Sequence, residues 1–240
     1  ITLKLCSYEE TGAIVAALTT SIPEVPKSGR NWDYRFCWMR DAFFVVRALN
    51  RIGATRTMED FISYILSVSA GRSDEVRPLY GVVHTDSLEE RTAPALSGYG
   101  GDGPVRIGNA AVNQNQHDVY GSIIMAATPM FFDRRLPRPG DASLFHTIES
   151  LGEQAAKLAL KPDAGIWEYR GRTRVHTHSA AMCWASAALP PARRIATPAD
   201  DARWSAVATM PDGACAVAAP NPPIVIAATV REQAVVVAAG

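Results

Sequence analysis

The sequence predicts a mainly α domain in which helix pairs are joined by long polar loops, preceded by a short N-terminal β segment. Three observations point there. Apolar residues recur at helical spacing in five or so stretches, strand-like alternation is confined to the first twenty residues, and the connections are rich in Gly, Pro, Asp and Asn. With 240 residues, 48% of them hydrophobic and 20% charged, the chain can bury a core in one or two domains, which excludes a disordered protein.

Taken in order, TLKLCSYEETGAIVAALTT (residues 2–20) alternates apolar and polar and breaks at Thr11-Gly12, the pattern of a short hairpin, so residues 1–30 are assigned to a β segment and linker. Met39, Phe43, Val46, Leu49 and Ile52 then mark a helix that stops at Gly53. A second follows, striped by Phe61, Ile62, Ile65 and Leu66 and started by Thr57 with Asp60 as a capping pair, giving a helical hairpin over 39–70. Residues 71–116 carry no period and read as a long functional loop. Helical spacing returns at 117–132, through Val119, Ile123, Ile124, Ala127 and Phe131. It returns again from Ser143, the expected N-cap, to Leu160, and once more near Ser179 until Pro190-Pro191 ends it. The helical domain is set at 31–207. Residues 208–240 form an Ala/Val/Pro-rich tail whose windows PPIVIAATV and AVVVAAG are β-prone and nearly uncharged.

Lys+Arg and Asp+Glu are equal at 24 each, so no overall field favours nucleic acid or an anionic membrane surface, and neither is expected as a partner. No apolar run is long enough to span a bilayer. Cys6, Cys37, Cys183 and Cys215 are scattered, without a C-x-x-C pair, and read as buried free thiols of a reducing compartment, so a cytoplasmic location is expected. The glycines of GYGGDGPVRIGN lack the phosphate-loop lysine and its strand–loop–helix setting, and they read as turn residues. His176 and His178 have no third ligand nearby, and bracing or lining a loop suits them better than holding zinc. No metal and no cofactor is expected.

Two stretches carry chemistry. RNWDYRFCWMRDA (residues 30–42) places Arg40 and Asp41 at a helix mouth lined by Trp32, Tyr34, Phe36 and Trp38. Rings stack on the apolar face of a pyranose while a guanidinium and a carboxylate serve its hydroxyls, so a carbohydrate is the ligand this surface suits. The plainer reading is a structural Arg40–Asp41 pair under an aromatic cluster. PDAGIWEYRG (residues 162–171) sets Glu168 beside Trp167, and a carboxyl desolvated by tryptophan is a useful general acid near neutral pH. The plainer reading there is a surface glutamate next to a buried ring.

RNWDYRFCWMRDA, LSGYGGDGPVRIGNAAVNQNQHDVYG, DAGIWEYRG and HTHSAAMCW, in this order over roughly residues 1–207, resemble glycoside hydrolase family 15, the glucoamylase, glucodextranase and trehalase-like group. The resemblance implies an (α/α)6 toroid acting on α-linked glucose with inversion. It implies that Arg40 and Asp41 grip the non-reducing glucose, that Trp38 lies close to it, and that Glu168 is the general acid. Asn113, Gln116 and Asp118 fall in a motif that shapes the same cavity, and Trp167 and His178 are counted with the substrate-binding residues. The helices amount to about half of a twelve-helix toroid, Ala180 stands where a basic residue is common, and the family's catalytic base has no counterpart among Asp200, Asp201, Asp212 and Glu232. The chain is therefore read as a truncated or degenerate member, with a partial toroid over 31–207 whose uncovered helix faces are expected to drive self-association. The expected function is inverting hydrolysis of α-glucosidic bonds in gluco-oligosaccharides or trehalose. The alternative is a non-catalytic remnant that binds sugar weakly or acts only through another chain.

Overall fold

A computed structural model describes residues 1–70, 75–83 and 88–188, and beyond them the strands Val207–Thr209, Cys215–Val217, Ile224–Ala228 and Val235–Ala239. It divides into two units, Ile1–Ser186 and Ala187–Gly240.

The first unit is mainly helical. After a single turn, α1 (Thr2–Leu5), come the strands β1 (Thr20–Pro23), β2 (Asn31–Asp33) and β3 (Cys37–Trp38). The helices α2 (Met39–Arg51) and α3 (Thr55–Ser69) follow. The short strands β4 (Leu79–Tyr80), β5 (Arg91–Thr92) and β6 (Arg106–Ile107) lead to a 3-10 turn at Ala110–Asn113. Four helices follow, the last of them running two residues past the unit's end at Ser186: α4 (Asp118–Ala127), α5 (Pro129–Phe132), α6 (Ala142–Leu158) and α7 (Thr177–Ala188). The strands pair in antiparallel twos, β1 with β2, β3 with β4 and β5 with β6.

Helix α4 is the centre of the packing. Nine of its ten residues are buried, as suits a helix contacted by α2, α3 and α6. The helix α7 also comes close: a Cβ on Gly121 would lie 2.2 Å from the Met182 backbone oxygen, so only glycine lets the two backbones approach this way. The helix α6 lays Phe145, Ile148, Leu151 and Ala155 inward.

Several boundaries differ from the sequence reading, each for a local reason. The expected hairpin in 2–20 reduces to the α1 turn and one isolated bridge, Ser7 with Ile14, around Gly12 at φ +81°. In α2 the buried stripe is Met39, Ala42, Val46 and Leu49, while Ile52 is 71% exposed at the C-cap and Gly53, at φ +73°, ends the helix as expected. Thr57 and Asp60 lie inside α3, which starts at Thr55 without a side-chain cap. Pro129, lacking an N–H, divides the stretch 117–132 into α4 and α5. At α6 the cap is Asp141, whose Oδ1 accepts from the Leu144 N–H at 2.8 Å, and Ser143 lies within the helix. The helix α7 begins at Thr177, two residues before the expected start, and Pro190-Pro191 lie outside the described residues. The loop 71–116 carries ladders of two residues, too short to show a period.

In the second unit β7 (Val207–Thr209) pairs with β8 (Cys215–Val217), and β9 (Ile224–Ala228) with β10 (Val235–Ala239), both antiparallel. The two β-prone windows of the tail thus pair with each other, Ile224 opposite Ala239 and Ala228 opposite Val235. Cys37 and Cys183 are buried free thiols and Cys6 is a half-buried one, while the side chain of Cys215 is outside the described residues. No helix among the described residues is long and apolar enough to cross a membrane.

Candidate active site

The segment 163–174 is a loop closed at its base by a bridge between Asp163 and Arg174, each N–H donating to the other's carbonyl at 2.8 and 3.0 Å. Asp163 is fully buried and anchors that base: its Oδ2 accepts from the His117 N–H at 2.8 Å and from the Ser179 hydroxyl at 2.7 Å. The loop is thereby fixed to the starts of α4 and α7. Gly165, at φ +67°, turns the chain where a Cβ would collide with the His176 ring at 2.6 Å. The Glu168 N–H closes the turn onto the Gly165 carbonyl at 3.0 Å and leaves Glu168 itself in the left-handed region, at φ +51°. A non-glycine residue held there is strained and therefore held by its surroundings.

The Glu168 carboxylate is 21% exposed, and three donors converge on its Oε1. Trp38 Nε1 stands at 2.7 Å, Arg40 Nη2 at 2.8 Å and Gln116 Nε2 at 3.3 Å. None of the described hydrogen bonds falls on Oε2. Arg40 also donates through Nη1 to Gln116 Oε1 at 2.7 Å and lies 3.7 Å from Asp118 Oδ2. Asp118 is fully buried, its carboxylate oxygens without a hydrogen-bond partner among the described residues, and His178 Nδ1 stands 3.6 Å from the same Oδ2. Burial pushes the Asp118 carboxyl up from its ordinary range against the pull of Arg40 and His178, and it pushes the His178 imidazole down. Asp41 is likewise raised by burial, with Glu168 and Asp118 adding to the effect and Arg40 opposing it.

Of these groups Trp38, Arg40, Asp41 and Glu168 line a cavity of about 830 Å³. Trp32, Glu24 and Arg30 line the same cavity: Trp32 Nε1 donates to Glu24 at 2.7 Å, and Glu24 also pairs with Arg30 at 2.6 Å. The guanidinium carbons of Arg170 and Arg106 lie 4.2 and 4.7 Å from the Trp32 ring centroid, and Arg170 grips Glu90 with both terminal nitrogens. The ring of Trp32 is thus engaged by arginines, whereas Tyr34 and Trp167 are exposed on the cavity wall.

The cavity brings together Trp38, Arg40, Asp41, Trp167 and Glu168, with Gln116 and Asp118 buried behind Arg40 and His178 behind Asp118. Asn113 does not join them; it is exposed at the end of the 3-10 turn and does not line the cavity. The plainer reading of an Arg40–Asp41 ion pair is not what the fold contains, because Arg40 turns to Glu168, Gln116 and Asp118. The structural pair of this stretch is Arg35 with buried Asp33, at 2.9 Å through two nitrogens. Trp167, expected against the carboxyl, is 76% exposed, and the ring that reaches Glu168 is Trp38. Among the described residues no cluster of His, Cys, Asp and Glu has the makings of a metal site.

Residues 1–212 match the family described as glycosyl hydrolases family 15. The chain belongs to that family. Among curated relatives it is 42% identical to a trehalase of Mycobacterium tuberculosis over 187 residues, 77% of this chain and 27% of that protein. It is 41% identical to a trehalase of Mycolicibacterium smegmatis over 77% of this chain and 28% of that one. A trehalase of Thermoplasma acidophilum is 35% identical over 209 residues, 86% of this chain and 35% of that one. The chain thus spans about a quarter to a third of the length of these relatives. No solved structure matches it. Within this member of family 15, sequence reasoning missed Gln114 and Asp163. The NQNQ run held the signal for Gln114, since in an extended stretch residues two apart face the same side and Gln116 was already a candidate. Asp163 opens the same DAGIWEYRG motif, but nothing in a sequence shows that it is buried.

Proposed function

We propose that this chain supplies the general-acid half of an inverting α-glucoside hydrolase site, with trehalose as the leading substrate and gluco-oligosaccharides as the alternative. The observation that carries the reading is the Glu168 carboxylate at the cavity wall. Its Oε1 is fixed by three donors, and Oε2 is left for a proton to be handed to a departing glycosidic oxygen. Trp38, Arg40 and Asp41 would receive the non-reducing glucose, and exposed Trp167 and Tyr34 offer stacking faces toward the leaving sugar. The names of the relatives favour trehalose.

Inversion needs a second carboxylate, about 6.5–9.5 Å from the first, to activate water on the opposite face of the ring. Of the other carboxylates lining the cavity, Glu24 is engaged by Arg30 and Trp32, and Asp41 is assigned above to the non-reducing glucose, which leaves neither for that task. The base is proposed to lie outside these residues, on the remainder of an (α/α)6 toroid of which the described helices form a part. Uncovered helix faces, with Phe44 and Ile52 exposed on α2, would then favour self-association of the isolated chain.

The test is glucose release from trehalose followed by NMR of the anomeric protons, with the chain alone and mixed with the C-terminal portion of a family member. The expected outcome is release only on mixing, giving initially equal α- and β-glucose, one from the retained and one from the inverted centre. Release of α-glucose alone would refute inversion. Binding of trehalose without release in either arm would favour the non-catalytic alternative.

A further inference from the structure

We propose that Gln114 is a positioning residue that holds the Glu168 carboxylate and the Arg40 guanidinium in register. The catalytic consequence of that role rests on the reading of Glu168 given above; the geometric role does not.

Gln114 follows the 3-10 turn in an extended conformation (φ −91°, ψ 145°), with its side chain in the cavity wall. Its Nε2 donates to the Glu168 backbone carbonyl at 3.2 Å, and its Oε1 accepts from Gln116 Nε2 at 3.0 Å. Gln116 in turn accepts from Arg40 at 2.7 Å and reaches Glu168 Oε1 at 3.3 Å. The polarity of this chain has one solution. A guanidinium only donates, so Gln116 must present its oxygen to Arg40 and its NH2 to Gln114; Gln114 must then present its own NH2 to the carbonyl of residue 168. Both amides are thereby oriented by Arg40, and the backbone of Glu168 is tied to the group that its carboxylate binds.

That tie falls where the backbone needs one. Glu168 is the one non-glycine residue of the 163–174 loop at positive φ, and its carbonyl orientation determines where the side chain leaves the loop. The N–H side of the peptide after Glu168 is held by the Ala164 carbonyl, which accepts from Tyr169 at 3.1 Å, and Gln114 holds its carbonyl side; without Gln114 that carbonyl can turn and Glu168 can relax toward ordinary φ. The carboxylate then swings away from Trp38 and Arg40. Asn113, its neighbour, has no such reach, being exposed and outside the cavity.

The experiment uses the whole 240-residue chain, 15N-labelled, and reads the Trp38 indole N–H, which is hydrogen-bonded to Glu168 and assigned by its loss in Trp38→Phe. Gln114→Met keeps the length of the side chain and removes both hydrogen bonds. The expected result is a changed chemical shift and about tenfold faster exchange of the Trp38 indole proton, the scale of one lost hydrogen bond, at an unchanged melting temperature. An indole signal and exchange rate equal to wild type in folded Gln114→Met would overturn the proposal. Should Gln114→Met not fold, Gln114→Ala, which leaves room for water, gives the same readout; failure of both to fold would make the residue structural and also overturn it. In a catalytically complemented mixture the positioning role predicts a fall in kcat with KM held, and a rise in KM alone would contradict it. If Glu168→Gln proved harmless to turnover while Gln114→Met freed the indole, the catalytic reading would fall and the positioning would stand.

Discussion

Replacing Arg40 by methionine removes the cation that Gln116, Glu168 and Asp118 share, and its cost can be worked from the geometry. Two hydrogen bonds are lost, to Gln116 at 2.7 Å and to Glu168 at 2.8 Å, and Asp118 at 3.7 Å loses its nearest positive charge. Glu168 is partly exposed and recovers solvation from water, so its share lies at the low end of about 1.5–3 kcal/mol for a hydrogen bond to a charged group. Asp118 is fully buried and cannot recover; removing one partner of a buried pair costs about 3–5 kcal/mol, and that sets the total. Urea unfolding followed by circular dichroism should therefore show Arg40→Met about 3–5 kcal/mol less stable, as a lower midpoint at constant slope. In an Asp118→Asn background the same substitution should cost about 2–3 kcal/mol less, because the uncompensated charge is gone. If Arg40→Met lay within about 1 kcal/mol of wild type, or the two substitutions were additive, the argument that Arg40 holds a buried carboxylate would be refuted.

Asp118→Asn alone tests the same group through pH. Burial raises the Asp118 carboxyl above its ordinary 3.8, so the folded chain holds the proton more tightly than the unfolded one, and stability from this group is present below that value and lost as pH rises through the raised one. Thermal melts should show the asparagine variant more stable than wild type at pH 7, with the gap closing toward pH 3.8; a gap widening in acid would contradict the direction. Gly121→Ala should destabilise the chain by about 1–3 kcal/mol, since its Cβ would meet backbone rather than a movable side chain 2.2 Å away, and a neutral melting curve would show that α4 and α7 do not approach as described. Trp167→Ala should leave the melting temperature unchanged, the ring being exposed, while weakening disaccharide binding by about 0.5–1.5 kcal/mol in calorimetry, the worth of one stacking contact.

Much of the helical frame could be read from spacing alone, because α2, α3 and α6 each bury a stripe of apolar residues and α4 is buried nearly all round, whereas the helix starts were set locally, α2, α3 and α4 beginning without a side-chain cap. Asp141 rather than Ser143 caps α6, and nothing in the order of residues 141–143 decides between two competent caps. The site was legible in Arg40, Trp38, Gln116, Asp118 and Glu168 because their motifs are long. The meeting of Trp38 with Glu168, 130 positions apart, was not legible. Adjacent residues also misled: Trp167 next to Glu168 and Asp41 next to Arg40 suggested contacts that the backbone directs elsewhere. In the 163–174 loop the left-handed turn sends Trp167 outward and Glu168 inward, and at the start of α2 consecutive side chains diverge around the helix. Asn113 was drawn in by its neighbours in NQNQ, although alternation in an extended stretch favours Gln114 with Gln116.

The proton that Glu168 is proposed to hand to the departing oxygen is tested most directly by comparing two leaving groups. In the complemented mixture, the rate of Glu168→Gln relative to wild type is taken on trehalose, whose leaving sugar needs protonation, and on 2,4-dinitrophenyl α-glucoside, whose leaving phenolate does not. A general-acid Glu168 gives a loss of about 10²-fold or more on trehalose and little loss on the aryl glucoside. Equal losses on the two substrates, or near-normal turnover of trehalose by the variant, would contradict it.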